Sequence, residues 1–440
     1  MEIKGVTKSK YAELADILPL QEGAELCVKG MIHTIRDMGD FSFVVLRKRD
    51  CVLQCVLDSK ASFDISDVCE GAAVEIEGKK LADERAPGGF EIRISNIKIL
   101  SKPKEPMPVA INKRKMGLTL DSALNLRPIV LRHLHERAGF KIQEGFARGF
   151  RDFLHSQGFT ELHTPKIVAE GAEGGANIFK LDYFGRKAFL CQSPQFYKQM
   201  MVGVFERVYE IGPVFRAEKH NTSRHLNEYT SMDFEMGFIE GFEDIMEMET
   251  AMLKYTLELL EREYAPQLKI LGVKLPKIES IPALRFDEAK VKVSEKYNKK
   301  IRNPYDLEPE EEQLIGRYAL EEYNSEFVFV THYPSKKRPF YAMDDPADPT
   351  FTLSFDLLFR GMEITTGGQR IHDYDAQVEK MIKKGMNPDD FTSYLMIHKY
   401  GMPPHGGLGL GLERLCMKLL DQSNIREATL FPRDQSRLEP

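Results

Sequence analysis

The sequence predicts an α+β chain in two parts: a small N-terminal β-barrel, then a larger domain in which an antiparallel sheet is flanked by helices. Three observations predict it. Five short runs of alternating apolar and polar residues fall within residues 25–100. A Pro- and Lys-rich stretch, SKPKEPMPVAINKRK (101–115), ends them. Beyond it, strand-like and helix-like segments mix without regular strand–helix–strand alternation, which disfavours a parallel sheet.

The five runs are ELCVKGMIHTI, FSFVVLR, CVLQCVL, AAVEIEGKK and FEIRISNIKIL. Five strands in so short a span suggest closure into a barrel, which removes unpaired edges, and the OB-fold is the commonest such barrel. The expected organisation is 1–106 barrel, 107–137 linker and 138–440 second domain. In that domain Ile142, Phe146, Phe150, Phe153 and Leu154 recur at helical spacing over 139–157, and Gly158 supplies a stop. CQSPQFYKQM (191–200) reads as a short helix opened by Ser193-Pro194. In SMDFEMGF (231–238), Met232, Phe234, Met236 and Phe238 alternate with Ser231, Asp233, Glu235 and Gly237, a strand with one apolar and one polar face. Residues 240–263 form an amphipathic helix. FTLSFDLLFRGMEI (351–364) is strand-like, with a bulge expected at Gly361.

Composition excludes more than it names. The 440 residues are 42% hydrophobic and 29% charged, enough for two or three domains with real cores. The net charge is −6, so a polyanionic partner must be met by local basic patches. Six cysteines without a CxxC pair read as reduced thiols. The N-terminus, MEIKGVTKSKYAEL, has no apolar leader, and no run of about 18 apolar residues exists. The expectation is a cytoplasmic protein with no membrane partner.

Four clusters carry chemistry. FTELHTPKI (159–167) alone is a strand edge with a structural Pro165. FRAEKHNTSRHLNEYTSMDFEM (215–236) places Arg216 and Glu218 two apart, on one strand face, followed by Lys219, His220, Arg224 and His225 in a loop that returns through Tyr229. Cations of this kind suit a polyphosphate. In GMEITTGGQRIH (361–372), Glu363 and Thr366 offer hard oxygen ligands for Mg²⁺, Gly367-Gly368 permit close backbone approach, and the planar fork of Arg370 matches a carboxylate. GGLGLGLERLCMKLL (406–420) runs four glycines into a helix whose first turn holds Glu413 and Arg414. It is neither a Walker loop nor a dinucleotide fingerprint.

In this order and at these distances the clusters resemble the three signature motifs of class II aminoacyl-tRNA synthetases. With a preceding barrel, the chain resembles subclass IIb, and AEGGANIF, QSPQFYKQ, FRAEKHNTSRHLNE, GGQRIH and YGMPPHGGLGLGLERL resemble its aspartyl members of the archaeal/eukaryotic type. The resemblance implies an OB-fold anticodon-binding domain and a class II catalytic domain acting as a homodimer, with FTELHTPKI in the dimer interface. It implies ATP and Mg²⁺, L-aspartate and tRNA(Asp) as its substrates and cofactors, and no covalent enzyme intermediate. Arg216, Glu218 and Arg414 would be catalytic. Arg216, Ala217, Glu218, Arg224, His225, Leu226, Tyr229, Glu363, Gly411, Leu412, Glu413 and Arg414 would bind ATP, with Tyr229 in place of the family's usual Phe. Glu363 and Thr366 would hold the metal, Thr366 standing where serine is common.

Lys198 sharpens the reading. A lone lysine on a helix is normally solvated. Beside the resemblance, Lys198 and Arg370 become the two cations that face the substrate side chain, with Gln195, Asp233, Thr366, Arg216 and the loop residue Glu173 completing an aspartate site. A desolvated cation lacking an anion would then penalise asparagine. This weighs against an asparaginyl enzyme, and the intact motif residues weigh against an inactive nucleic-acid-binding paralogue. In the barrel, Phe43, Gln54 and Glu91 match positions that stack on and hydrogen-bond anticodon bases. His33 and Pro87 stand where strictly specific relatives carry Trp and Lys. The pair resembles relaxed members that also charge tRNA(Asn), whose product an amidotransferase converts; a strictly discriminating enzyme is the alternative.

Overall fold

The computed structural model describes residues 11–49, 51–61, 67–113, 115–171, 177–219 and 222–439. Contacts divide the chain into two compact units: Met1–Thr119 with Pro128–His133, and Leu120–Arg127 with Leu134–Pro440. The region between them is interleaved. Arg127, in the second unit, donates its guanidinium to the carbonyls of Glu427, Thr429 and Leu430 of the same unit. No helix among the described residues is long and apolar enough to cross a membrane.

In the first unit, β1 (Glu25–Asp37), β2 (Phe41–Arg47), β3 (Val52–Asp58), β4 (Ala73–Ala82) and β5 (Phe90–Ser101) close in the order β1-β2-β3-β5-β4. Alternation sends Val28, Ile32, Val44, Leu46, Leu53, Cys55, Val74, Ile76 and Ile92 inward, where all are buried. This is the small closed barrel expected from the sequence.

The second unit is built on an eight-stranded sheet. In chain order its strands are β6 (Thr160–Glu161), β10 (Arg207–Phe215), β11 (Glu228–Gly237), β12 (Ala283–Arg285), β13 (Phe327–Thr331), β14 (Ser354–Phe359), β15 (Met362–Arg370) and β16 (His405–Gly411). A separate three-stranded sheet holds β7 (Ile167–Val168), β8 (Lys180–Tyr183) and β9 (Arg186–Leu190). The large sheet runs β12-β13-β14-β15-β16-β11-β10-β6. Its six central strands are antiparallel, as expected, and only the edge strands β12 and β6 pair in parallel.

Helices α1 (Leu134–Ser156), α3 (Glu243–Glu263) and α5 (Leu412–Leu419) pack on the apolar face, whereas α2 (Gln195–Phe205) sends Lys198 to Asp233 on the other face and α4 (Pro309–Tyr323) packs Ile315 and Ala319 on Val328 and Val330. α1 presents Ile142, Phe146, Phe150 and Leu154 to Met232, Phe234 and Met236 of β11, all buried. Each such side chain is worth about 1.5–3 kcal/mol of burial. α1 ends as the spacing predicts: Gly158 has φ +80°, and Phe159 N–H returns to the Leu154 carbonyl.

One local expectation is corrected. Residues 351–364 are not a single strand bulged at Gly361. Arg360 (φ 47°) and Gly361 (φ 71°) are the two turn residues of a tight β14–β15 hairpin, where both central positions need positive φ. The bulge lies three residues later. Leu357 pairs Thr365 and Leu358 pairs Glu363, so Ile364 is the extra residue.

Candidate active site

The face of the sheet opposite α1 and α3 carries a polar pocket. The strict alternation of β11 puts its apolar residues in the core and turns Asp233 and Glu235 the other way, where both are nonetheless buried. The polar face is therefore a site floor, not a solvated surface.

At one end of the pocket lies a quartet of buried charges. Lys198 Nζ is 2.8 Å from Asp233 Oδ2 and 3.3 Å from Glu235 Oε2, and it donates to the Leu408 carbonyl at 2.8 Å. Arg370 Nε donates to Glu235 Oε1 at 2.8 Å, and its Nη2 reaches the Gly407 carbonyl at 2.9 Å. Lys198 is only 1% exposed. Burial alone would raise the Glu235 pKa, but Arg370 and then Lys198 outweigh it and hold the carboxyl below its ordinary range. The glycines of β16 make this possible. Gly409 and Gly407 stand opposite Asp233 and Glu235, and a Cβ on Gly407 would run into the Glu235 carboxylate.

This corrects the reasoning about Lys198. It is not a cation waiting without an anion: Asp233 and Glu235 already neutralise it, and Arg370 shares Glu235. The helix start is also shifted by one residue. α2 begins at Gln195, with the Pro194 carbonyl accepting from Lys198 N–H, and Gln195 donates to Gln199.

The other end is rich in arginine. Arg216, Arg224, Arg338 and Arg414 all line it. Arg414 Nη1 lies 3.3 Å from Glu363 Oε1, and Arg224 Nη2 is 2.5 Å from Glu312 Oε2. The Arg216 guanidinium lies 6.0 Å from the Tyr229 ring centroid. Burial would raise the Glu363 pKa, but Arg414, Arg338, Arg216 and Arg224 together keep it low. His225 has its pKa lowered by burial and by the neighbouring arginines, against the pull of Glu218 at 3.6 Å. Glu413 accepts from Thr230 N–H, and burial pushes its pKa up to about 7.

The Ile364 bulge has a chemical consequence. Glu363 and Thr366 are three residues apart and would face opposite sides of a regular strand. With one residue extruded, both face the pocket, and Thr366 Oγ1 lies 3.3 Å from Glu363 Oε1. Asp356 is opposite Thr366 in the β14–β15 register. Burial and the nearby Glu363 raise its pKa, while Arg338, at 2.8 Å, opposes them. Two carboxylates and a hydroxyl form a hard-oxygen donor set, which fits Mg²⁺.

Most sequence candidates converge here: Gln195, Lys198, Arg216, Glu218, Arg224, His225, Leu226, Tyr229, Asp233, Glu363, Thr366, Arg370, Gly411, Glu413 and Arg414 line one pocket. Two do not. The Leu412 side chain is packed in the core, and Ala217 lies outside the lining, its N–H donating to the Asn177 carbonyl. Glu173 lies outside the described residues. Arg216 and Glu218 are not on a strand face, because β10 ends at Phe215; Asn227 holds their loop by donating to both carbonyls. Arg338, Asp356 and Glu312 escaped the sequence reading. KKRPF reads as a surface loop and EPEEEQ as a solvated helix start; only Asp356, a lone acid in an apolar strand, carried a signal.

In the barrel, Gln54 Nε2 lies 3.4 Å from Glu91 Oε2. Half-buried Phe43 sits edge-on to Phe41 at 5.1 Å. Pro87 is exposed in the β4–β5 turn. His33 differs from these: it is the extra residue of a β1 bulge and is 8% exposed.

Comparison with known proteins gives this geometry its class. Residues 119–435 match the family model of tRNA synthetases class II (D, K and N), and residues 26–100 match an OB-fold nucleic acid binding domain. The chain belongs to the class II tRNA synthetases of the D, K and N group and is an aminoacyl-tRNA synthetase. It is 45% identical to the aspartate–tRNA(Asp/Asn) ligase of Deinococcus radiodurans, over 96% of this chain and 97% of that one. It is 41% identical to the aspartate–tRNA(Asp) ligase of Pyrococcus abyssi, over 95% and 97%. At that identity and coverage its branch is that of the aspartate–tRNA ligases. Among solved structures, the Pyrococcus horikoshii asparaginyl-tRNA synthetase complexed with asparaginyl-adenylate superposes with a TM-score of 0.90 at 30% identity, covering 98% of this chain and 99% of that one. The fold is thus common to enzymes for different amino acids, and specificity has to be read from the site.

Proposed function

We propose that this chain is an aspartate–tRNA ligase of relaxed tRNA specificity. It activates L-aspartate with ATP and esterifies the 3′ end of tRNA(Asp) and tRNA(Asn). The observation that carries the amino-acid assignment is the buried Lys198–Asp233–Glu235–Arg370 quartet at one end of an arginine-rich pocket. Lysine and arginine only donate hydrogen bonds. An aspartate side chain accepts at both oxygens, whereas the asparagine NH₂ would meet donors. Asp233 and Glu235 hold the two cations in place before substrate arrives, so little reorganisation remains. Gln195 lines the same end.

At the other end Arg216 neutralises the α-phosphate while the aspartate carboxylate attacks it and pyrophosphate leaves. Arg224 and His225 take the outer phosphates, and Tyr229 and Arg414 sandwich adenine, beside Glu218, Leu226, Gly411 and Glu413. Glu363, Thr366 and Asp356 would hold Mg²⁺, which supplies charge neutralisation to the phosphates when bound. A terminal ribose hydroxyl of the tRNA then attacks the aspartyl carbonyl, its proton is lost and AMP departs. No enzyme nucleophile is required.

Relaxed tRNA specificity is supported by the Deinococcus radiodurans relative and by the His33/Pro87 pair. Phe43, Gln54 and Glu91 contact the anticodon. A homodimer in the cytoplasm and a downstream amidotransferase that converts Asp-tRNA(Asn) complete the proposal. Aspartylation of tRNA(Asp) and tRNA(Asn) transcripts side by side tests it. Charging of both is expected. Charging of tRNA(Asp) alone would refute the relaxed specificity, and charging of neither would refute the activity.

A further inference from the structure

The segment between β12 and β13 lies outside every motif used above, yet it sends one side chain into the pocket wall. Helix α4 starts with Glu310, Glu311 and Glu312, which as a sequence reads as a solvated acidic turn. Glu311 is instead the partner of buried Lys290 at 2.8 Å. Glu312, 6% exposed, points to the active site. Its Oε2 accepts two hydrogen bonds: from Arg224 Nη2 at 2.5 Å and from the backbone N–H of Glu363 at 3.1 Å. One carboxylate oxygen therefore joins the loop after β10 to the strand that carries Glu363 and Thr366.

The packing makes this a fixed arrangement. α4 lies directly on the β14–β15 turn, glycine against glycine. A Cβ on Gly316 would stand 2.5 Å from the Gly361 nitrogen, and one on Gly361 would stand 2.7 Å from Gln313 Cα. Any other residue at either place would lift the helix and withdraw Glu312. With Nη2 held by Glu312, the Arg224 guanidinium has one orientation relative to the pocket. Its Nε–H is buried and has no hydrogen-bond partner among the described residues. The fork is thus fixed on one side and has donor capacity left for an anion.

We propose that Glu312 is a positioning residue for ATP: it pre-orients Arg224 toward the outer phosphates and ties that arginine to the strand bearing Glu363. Through it, the α4 segment becomes part of the nucleotide site. This rests on the aspartate–ATP reading given above and adds a residue to it.

The test is aspartate-dependent pyrophosphate exchange with wild type, Glu312→Gln, Arg224→Ala and the double variant. Glutamine can still accept from Glu363 N–H but removes the charge that holds Arg224. For Glu312→Gln the expected result is a KM for ATP raised about tenfold with the KM for aspartate unchanged, and a fall in melting temperature no larger than that of Arg224→Ala, which breaks the same pair. In the Arg224→Ala background the same change should add nothing further. An unaltered KM for ATP would overturn the proposal. So would a lowered one, which would make Glu312 a competitor of the phosphates. Equal losses for ATP and aspartate with a lower melting temperature would reduce Glu312 to a structural role and also overturn it. Absence of exchange in the wild type would instead reject the parent reading.

Discussion

Glu249 of α3 lies in the core beneath the active-site strand, 0% exposed. The Thr365 hydroxyl donates to its Oε1 at 2.6 Å, and its Oε2 has no hydrogen-bond partner among the described residues. Burial pushes its pKa from 4.5 to about 8, with Asp356 adding to the rise and the Thr365 hydroxyl opposing it. The folded state therefore binds a proton that the unfolded chain has released between about pH 4.5 and pH 8. Stability contributed by this group is complete below the unfolded pKa and is lost as pH rises through the folded one. From 4.5 to about 8, at about 1.4 kcal/mol per pH unit, the loss is on the order of 5 kcal/mol. Glu249→Gln keeps the shape and the acceptor for Thr365 but cannot ionise. The stability difference between variant and wild type should be small at pH 5 and grow in favour of the variant by several kcal/mol at pH 9. Urea denaturation at pH 5, 7 and 9, followed by a probe in the catalytic domain, measures it. A difference independent of pH would refute the argument, because it would mean that Glu249 ionises as readily in the folded protein as in the unfolded chain.

Three further outcomes are expected. Lys198→Leu leaves Glu235 with Arg370 alone and takes from buried Asp233 the cation that meets it at 2.8 Å, so it should destabilise the domain by about 3–5 kcal/mol. In pyrophosphate exchange it should raise the KM for aspartate far more than that for ATP, and equal rises would defeat the assignment of Lys198. Gly407→Ala forces a Cβ against the Glu235 carboxylate and the Phe234 carbonyl, so thermal melting should show a loss of more than about 2 kcal/mol; wild-type stability would contradict the packing. For tRNA choice, His33→Trp must overpack a buried bulge, whereas Pro87→Lys changes an exposed turn. Pro87→Lys alone should reduce charging of tRNA(Asn) relative to tRNA(Asp), and an unchanged ratio would remove Pro87 from the discrimination argument.

What the sequence by itself determined were periodicities and residue types. Five alternating runs were enough for the barrel, because inward and outward residues must alternate on a closed sheet. The helical spacing from Ile142 to Leu154, with Gly158 after it, was enough for α1. Met232, Phe234 and Met236 against Asp233 and Glu235 were enough for a two-faced strand. The motif residues resembled a family closely enough to name one site.

Tertiary structure decided what happens across strands and between distant segments, which no local pattern encodes. Whether the polar face of β11 meets water or a buried counter-charge depends on the glycines of β16, some 175 residues away. That is why Lys198 proved to be paired when the sequence left it without an anion. Whether Glu363 and Thr366 share a face depends on one extruded residue, Ile364, in the register of a hairpin. Whether Glu312, Arg338 and Asp356 are surface charges or parts of the pocket depends on how α4 and the 333–341 loop fold back onto the sheet. A buried charge is tolerated only where a partner meets it, and that partner is chosen by the packed fold, not by the neighbouring sequence.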